Sequence, residues 1–185
     1  MDYQTIIDKY YPAGTTCRGI FVHHSQQVAN KALEIIAHCR LDLDPNEVET
    51  AAMLHDIGIF MTDAPDIDCH GSEPYICHGI IGADLLRKEG YDEKFARVAE
   101  RHTGAGLTID DIVNQNLPLP VKDYCPETLL EKLICYADKF FSKSGAMREK
   151  PIEEVISSMS RFSNDTLSRF YALHTVFTCN KDNKL

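Results

Sequence analysis

Apolar residues along this chain recur at helical spacing far more often than they alternate. Val28, Ala32 and Ile35 fall on one stripe, Val48 and Ala52 on another, Ile81 and Leu85 on a third. Residues three or four apart share a helix face, so each stripe predicts an amphipathic helix turned toward a core. The stripes and their punctuation predict helices over about 3–9, 21–39, 45–57, 77–89, 92–102, 126–142, 151–161 and 164–178. Pro45 suits a first helical turn, Asp92 an N-cap, and Gly58 and Gly90 C-terminal stops. Strand signals are weak. The expected fold class is all-α, a bundle of about seven to eight helices forming one domain over residues 1–185. Two connections are long, 59–76 and 104–125, and the second holds Leu117-Pro118-Leu119-Pro120, which a helix interior excludes. Loops of that length are often lids or binding loops. The polar tail Asn180–Leu185 is expected to fray.

Five stripes carry a group foreign to an apolar core. His24 shares a face with Val28, Ala32 and Ile35, and His55 follows Val48 and Ala52. His78 lines up with Ile81, Gly82 and Leu85, and His102 closes the stripe of Phe95, Val98 and Ala99. Asp138 lies with Leu130, Ile134 and Phe141, while Asp56 adjoins His55. A single inward histidine is ordinarily a core residue bonded to a carbonyl. An inward carboxylate must be paired or coordinated. Five helices each aiming such a group inward predict one shared site, and one or two divalent metal ions would compensate all six side chains at once. Imidazole and carboxylate donors suit iron, manganese, zinc, nickel or cobalt, and no cysteine joins the set.

Composition narrows the reading. The chain has 185 residues, 44% hydrophobic and 25% charged, as in an ordinary globular protein of one domain. No apolar run approaches the roughly 20 residues that span a bilayer. Met1-Asp2-Tyr3-Gln4-Thr5 lacks the basic-then-apolar order of a signal peptide, so a cytoplasmic protein with no membrane partner is expected. The net charge of -9 argues against extended nucleic acid as a partner. A phosphorylated small molecule stays compatible if metal ions carry positive charge locally. The 7 cysteines are scattered and contain no C-x-x-C pair, which predicts reduced thiols rather than a disulfide framework. Cys69-His70 and Cys77-His78 repeat a Cys-His pair, a second candidate zinc set across the first long connection.

The order His24, His55-Asp56, Asp138 resembles the H…HD…D pattern of the HD-domain metal-dependent phosphohydrolase superfamily, and Ile57-Gly58 extends it to the HDIG variant. His78 in CHGIIGADLL and His102 in ERHTGAG resemble the two extra histidines of the dinuclear branch, and CYADKFFSK over 135–143 looks like the final motif. The likeness covers roughly residues 17–145. The diadenosine tetraphosphate hydrolases of HD type are the nearest relatives it suggests. A GYP motif and a Glu-Asp pair after the HD helix are both missing, which lowers the cyclic-di-GMP and guanosine tetraphosphate branches.

The resemblance implies a helical bundle in which His24, His55, Asp56 and Asp138 hold one metal. Asp56 would bridge to a second, held by His78 and His102. It implies hydrolysis of a phosphoester or phosphoanhydride bond of a nucleotide or small phosphorylated metabolite, by a hydroxide bridging metals about 3.5–4 Å apart. Asp56 and Asp138 are then the catalytic carboxylates, ligands first and proton acceptors second. Lys139, Lys143 and Arg18 are candidate substrate contacts, and Asp63, Asp66, Asp68, His70 and Glu73 border the site in sequence. Two alternatives stay open: a mononuclear 5′-nucleotidase with His78 and His102 as acid or base, and a non-catalytic nucleotide-sensing module. A homodimer, through 117–120 and the last two helices, is also open.

Overall fold

Short polar side chains set most of the helix starts. In the computed structural model, which describes residues 2–179, Asp2 caps α1 (Tyr3–Tyr10), Thr15 caps α2 (Thr16–Cys39) and Asp44 caps α3 (Pro45–Leu54). α4 (His78–Lys88) starts without a side-chain cap, and Asp92 caps α5 (Glu93–Arg101). Reciprocal capping boxes open α6 (Ile109–Asn114), from Thr108 and Asp111, and α7 (Leu129–Asp138), from Thr128 and Glu131. α8 (Ile152–Met159) and α9 (Asn164–Phe177) complete nine helices among the described residues. Each cap accepts a bond from an N–H that helix geometry leaves unpaired. The tail Asn180–Leu185, expected to fray, lies outside the described residues.

The all-α expectation holds, with local corrections. α2 begins at Thr16 rather than near Phe21, because Thr15 supplies the cap. α7 runs 129–138 rather than 126–142, because the Thr128 box starts it. α6 sits inside the supposed 104–125 loop, and its capping box is readable as Thr108-Ile109-Asp110-Asp111. The connection 59–76 is an ordered strap of three 3-10 turns around a two-stranded antiparallel hairpin. In it β1 (Asp63–Ala64) faces β2 (Cys69–His70), with Asp63 opposite His70 and Ala64 opposite Cys69.

α2 packs on α3 and α7, α4 pairs with α5, and α5 in turn reaches α3 and α7. Alanines line these contacts: Ala29, Ala32, Ala51, Ala52, Ala99 and Ala137 are all buried. Their short side chains let backbones approach closely, and close packing leaves little void between them. α9 lies on α7 and α8.

Cys39, at the end of α2, and Cys179 form a disulfide with Cα atoms 5.6 Å apart, which corrects the expectation of wholly reduced thiols. The two are 140 residues apart, so only the return of the chain through α9 brings them together. The other five cysteines are free. The Cys-His zinc set does not assemble. Cys69 Sγ faces Cys17 Sγ at 3.2 Å, exposed His70 pairs with Asp68 at 3.1 Å, and Cys77 Sγ meets the Pro118 carbonyl at 3.4 Å. No helix among the described residues is long and apolar enough to cross a membrane.

Candidate metal centre

Five of the six inward side chains sit at helix ends. His55 and Asp56 lie just past α3, His78 opens α4, His102 follows α5 and Asp138 closes α7, while His24 lies inside α2. Adjacent residues on a helix point about 100° apart. His55 and Asp56 nonetheless reach one cavity because the chain turns tightly there, with Ile57 N–H bonding Leu54 O at 3.1 Å and Ile59 N–H bonding Asp56 O at 3.0 Å. Gly58 does not act as the left-handed stop that its position suggested, since its φ is -88°. It permits contact instead: a Cβ there would lie 2.5 Å from Gly82 N and closer still to the His78 carbonyl oxygen. The last residue of the HDIG run therefore seats the start of α4, and with it His78, against the Asp56 turn.

All six side chains are buried, and two donor sets share Asp56. Asp56 Oδ2 faces His24 Nε2 at 3.2 Å and His55 Nε2 at 3.0 Å. Asp56 Oδ1 faces His78 Nε2 at 3.4 Å and His102 Nε2 at 3.3 Å. Asp138 Oδ1 lies 2.9 Å from His24 Nε2 and 3.5 Å from His55 Nε2. The first set is His24, His55, Asp56 and Asp138, and the second is Asp56, His78 and His102.

The hydrogen-bond pattern fits a cation in each set. His55 Nδ1 donates to Ala52 O at 2.6 Å, His78 Nδ1 to Tyr75 O at 2.6 Å and His102 Nδ1 to Ala99 O at 2.8 Å. A carbonyl only accepts, so each Nδ1 carries hydrogen. In the neutral ring Nε2 is then a bare lone pair aimed at the centre, the tautomer a metal needs. His78 Nε2 and His102 Nε2 stand 3.1 Å apart, and two lone pairs at that distance repel unless a cation lies between them. His55 Nε2 and both Asp56 oxygens lack a well-directed hydrogen bond. Lys143 Nζ is 2.6 Å from Asp56 Oδ2 and supplies charge there without that directed geometry. Buried donors and acceptors left in this state are costly, and metal coordination satisfies them. The residues present fit divalent metal ions, and the nitrogen and oxygen donors fit iron, manganese, zinc, nickel or cobalt.

Electrostatics prepares the site for cations. Burial would raise Asp56, but His55 and Lys143 hold it well below the usual carboxylate range. Burial would raise Asp138 too, and Lys139 and Lys143 keep it low. Burial pushes His78 down to about 3 and also lowers His102, so both rings are neutral at neutral pH. His55 goes the other way: burial pulls it down, but Asp56 and Asp138 outweigh burial and lift it to about 9. Metal-free His55 is thus protonated below pH about 9, and a metal arriving at Nε2 must expel that proton. Manganese affinity, followed by electron paramagnetic resonance from pH 6.5 to 8.5, is expected to rise about tenfold per pH unit across that range. An affinity flat across that range would show that no proton leaves His55.

The structure divides the expected substrate contacts. Lys139 is buried, with Nζ 2.7 Å from Asp138 Oδ2 and 3.1 Å from the His102 carbonyl, so it ties the ends of α5 and α7 together. Lys139, Lys143 and Asp138 also line a cleft of about 550 Å³ beside the donor sets, and Asp63 and Asp66 line it from the strap. Arg18 is not brought to that cleft. Its guanidinium bonds Tyr11 O at 2.7 Å and Asp8 at 2.5 Å, which pins α1 to α2. Asp68 accepts from Cys17 N–H at 3.3 Å, outside both donor sets. Sequence reasoning missed Tyr75, whose ring stacks on His78 with centroids 4.7 Å apart and whose carbonyl fixes the His78 tautomer. It also missed Lys150 and Phe162, which line the cleft from beyond α7.

Residues 21–142 match the family model described as the HD domain, a stretch that contains all six inward side chains. A tRNA (cytidine(56)-2'-O)-methyltransferase of Picrophilus torridus is 35% identical over 148 residues, which cover 80% of this chain and 37% of that protein. A protein of the same name from Thermoplasma volcanium is 31% identical over 173 residues, 94% of this chain and 46% of the relative. An uncharacterized protein of Methanocaldococcus jannaschii is 40% identical over 125 residues, 66% of each. The chain thus spans only part of the curated relatives it matches, from 37% to 66% of their length. The crystal structure of the HD domain of the L. monocytogenes phosphodiesterase PgpH superposes with a TM-score of 0.53 over 95% of both chains at 15% identity, a likeness of fold.

Proposed function

Because this chain belongs to the HD domain family, we propose that it is a metal-dependent phosphohydrolase. In this reading it cleaves a phosphoester or phosphoanhydride bond of a nucleotide or another small phosphorylated metabolite. One observation carries the proposal: the two oxygens of Asp56 face two separate pairs of imidazoles. That arrangement favours two metals over one, and it supports the dinuclear, diadenosine-tetraphosphate-hydrolase-like branch of the family. Bound there, divalent ions would supply Lewis acidity toward phosphoryl oxygens and activation of a water for in-line attack.

The chain's own groups do the rest. The Nδ1 hydrogens of His55, His78 and His102 are fixed by carbonyls three residues upstream, so all three rings are oriented in advance and only His55 has an Nε2 proton to lose. Lys139 and Lys143 bring fixed positive charge to the cleft floor, where a phosphoryl group would carry negative charge. The ionised Asp138 faces both the donor set and the cleft and is placed to accept a proton from an attacking water. Two relatives are tRNA methyltransferases, which supports a nucleotide as ligand, while a net charge of -9 does not suit an extended RNA.

Protein purified without chelator or affinity-metal exposure is expected to carry near two equivalents of transition metal. It is expected to hydrolyse bis(p-nitrophenyl) phosphate in a chelator-sensitive way. Absence of both metal and metal uptake would overturn the reading. The complete four-ligand set around His24 also supports a mononuclear 5′-nucleotidase, and His78→Ala separates the two. Loss of one metal equivalent together with the rate is the dinuclear result. Unchanged metal with a lost rate is the mononuclear one. A nucleotide that survives purification, with no turnover under any of these metals, would point to a sensing module.

A further inference from the structure

Charge on the cleft wall is sorted by segment. Lys139, Lys143 and Lys150 come from the end of α7 and the chain that follows it, while Asp63 and Asp66 come from the strap. Two of the three ammonium groups are committed: Lys139 Nζ lies 2.7 Å from Asp138, and Lys143 Nζ 2.6 Å from Asp56. Lys150 is different. Among the described residues no carboxylate lies within ion-pair distance of its ammonium, although its neighbours Arg148 and Glu149 both have partners. Its backbone is fixed, because Lys150 N–H bonds the Phe140 carbonyl at 2.8 Å. Burial depresses its pKa, and the Lys139 and Lys143 charges add to that against the pull of Asp138. The lining thus carries three ammonium groups and three carboxylates, and of the ammonium groups only Lys150 has no carboxylate in contact among the described residues. An anion placed there would give that ammonium a partner. The hydroxyls of Ser142, Ser144 and Ser158 line the same wall, and Phe162, 60% exposed, stands there uncovered.

We propose that Lys150 anchors a second anion subsite in this cleft, which selects substrates carrying another phosphoryl group beside the one that reacts. The family match ends at residue 142, so Lys150 lies outside the matched stretch. The identity of the reacting end rests on the phosphohydrolase reading, whereas the subsite itself is a statement about binding. Asp63 and Asp66, on the strap, suit the hydroxyls of a sugar better than a further phosphate.

Metal-loaded protein is titrated calorimetrically with α,β-methylene-ADP and, separately, with AMP. Wild type is expected to prefer the two-phosphoryl ligand. Lys150→Met is expected to weaken α,β-methylene-ADP about tenfold, the worth of one charge-assisted hydrogen bond. It should change AMP by less than about twofold and leave metal content unaltered. Lys150→Arg is expected to keep the preference, and Lys150→Gln replaces the Met variant if that one does not fold. A wild type that binds the two ligands alike, or a variant that weakens them equally or not at all, overturns the subsite. Wild-type hydrolysis of bis(p-nitrophenyl) phosphate is read in parallel. Selective binding through Lys150 without any cleavage would remove the phosphohydrolase reading and leave the subsite. Cleavage with no effect at Lys150 would do the reverse.

Discussion

Asp56→Asn is expected to abolish both metal equivalents and to slow hydrolysis of bis(p-nitrophenyl) phosphate by at least about 10³-fold. Asp56 is the one residue common to both donor sets, so no other single substitution should empty both. Asparagine keeps the shape but loses the charge, and its amide nitrogen would turn a donor toward imidazoles or toward the Lys143 ammonium. The metal-free protein should suffer as well. Asp56 is fully buried and balances His55 and Lys143, and breaking a buried charge set costs about 3–5 kcal/mol. His55 can shed its proton in response, which places the expected loss at the low end, about 3 kcal/mol. For a chain of this size that is a fall in Tm of roughly 6–12 °C, measured with chelator present in both proteins. His102→Ala is the control, since it should lose one equivalent only. An Asp56→Asn protein that retained two metals would show that the donor sets described here are not the binding sites.

Gly58→Ala is the second large effect, and its sign depends on a contact. At a site with room, replacing glycine by alanine stabilises by about 0.4–1 kcal/mol through the unfolded chain. The Gly58 backbone would tolerate alanine, with φ at -88°. The new Cβ, however, would fall 2.5 Å from Gly82 N and nearer still to His78 O. Both are backbone atoms in the first turns of α4 and cannot rotate aside. Overpacking of this kind costs about 1–3 kcal/mol and at times more, so the clash outweighs the entropy gain and Tm should fall by several degrees. The displacement acts on His78, so metal loss should be selective: the His78–His102 set empties while the His24 set stays filled. A variant with unchanged Tm and two metal equivalents would contradict the packing described for the HDIG turn.

How much of the site was legible follows from the residues themselves. His24, His55, His78, His102 and Asp138 betrayed themselves because each is polar at an apolar position of a helical stripe, and such a residue needs a partner. Lys139 and Lys143 were visible as a pair one turn apart, and both reach the cleft. Arg18 was misleading for the same reason that it seemed promising. A cation upstream of His24 has no stated direction in sequence, and here it turns to Asp8 and the Tyr11 carbonyl. Lys150 and Phe162 gave no signal at all, since a lone lysine in a polar loop looks like surface. The strap looked structureless because its hydrogen bonds are long-range within the loop, as where Asp63 N–H meets the Glu73 carbonyl at 2.8 Å. α6 was missed for want of length, although its Thr108–Asp111 box was there to be read.

The sequence by itself determined which side chains turn inward, and hence the helical class and the six residues that gather at one centre. Periodicity and residue chemistry are local properties, and they hold whatever the neighbours do. Tertiary structure alone decided that Gly58 works by closeness to α4, and it set the distances at which the Asp56 oxygens face the two imidazole pairs that the family resemblance implied. It also decided that Cys39 meets Cys179 and that, among the described residues, one lysine of three faces the cleft without a carboxylate partner. Those are distances between segments far apart in the chain, set by how alanine-lined helices pack, and no pattern along a single strand of sequence encodes them.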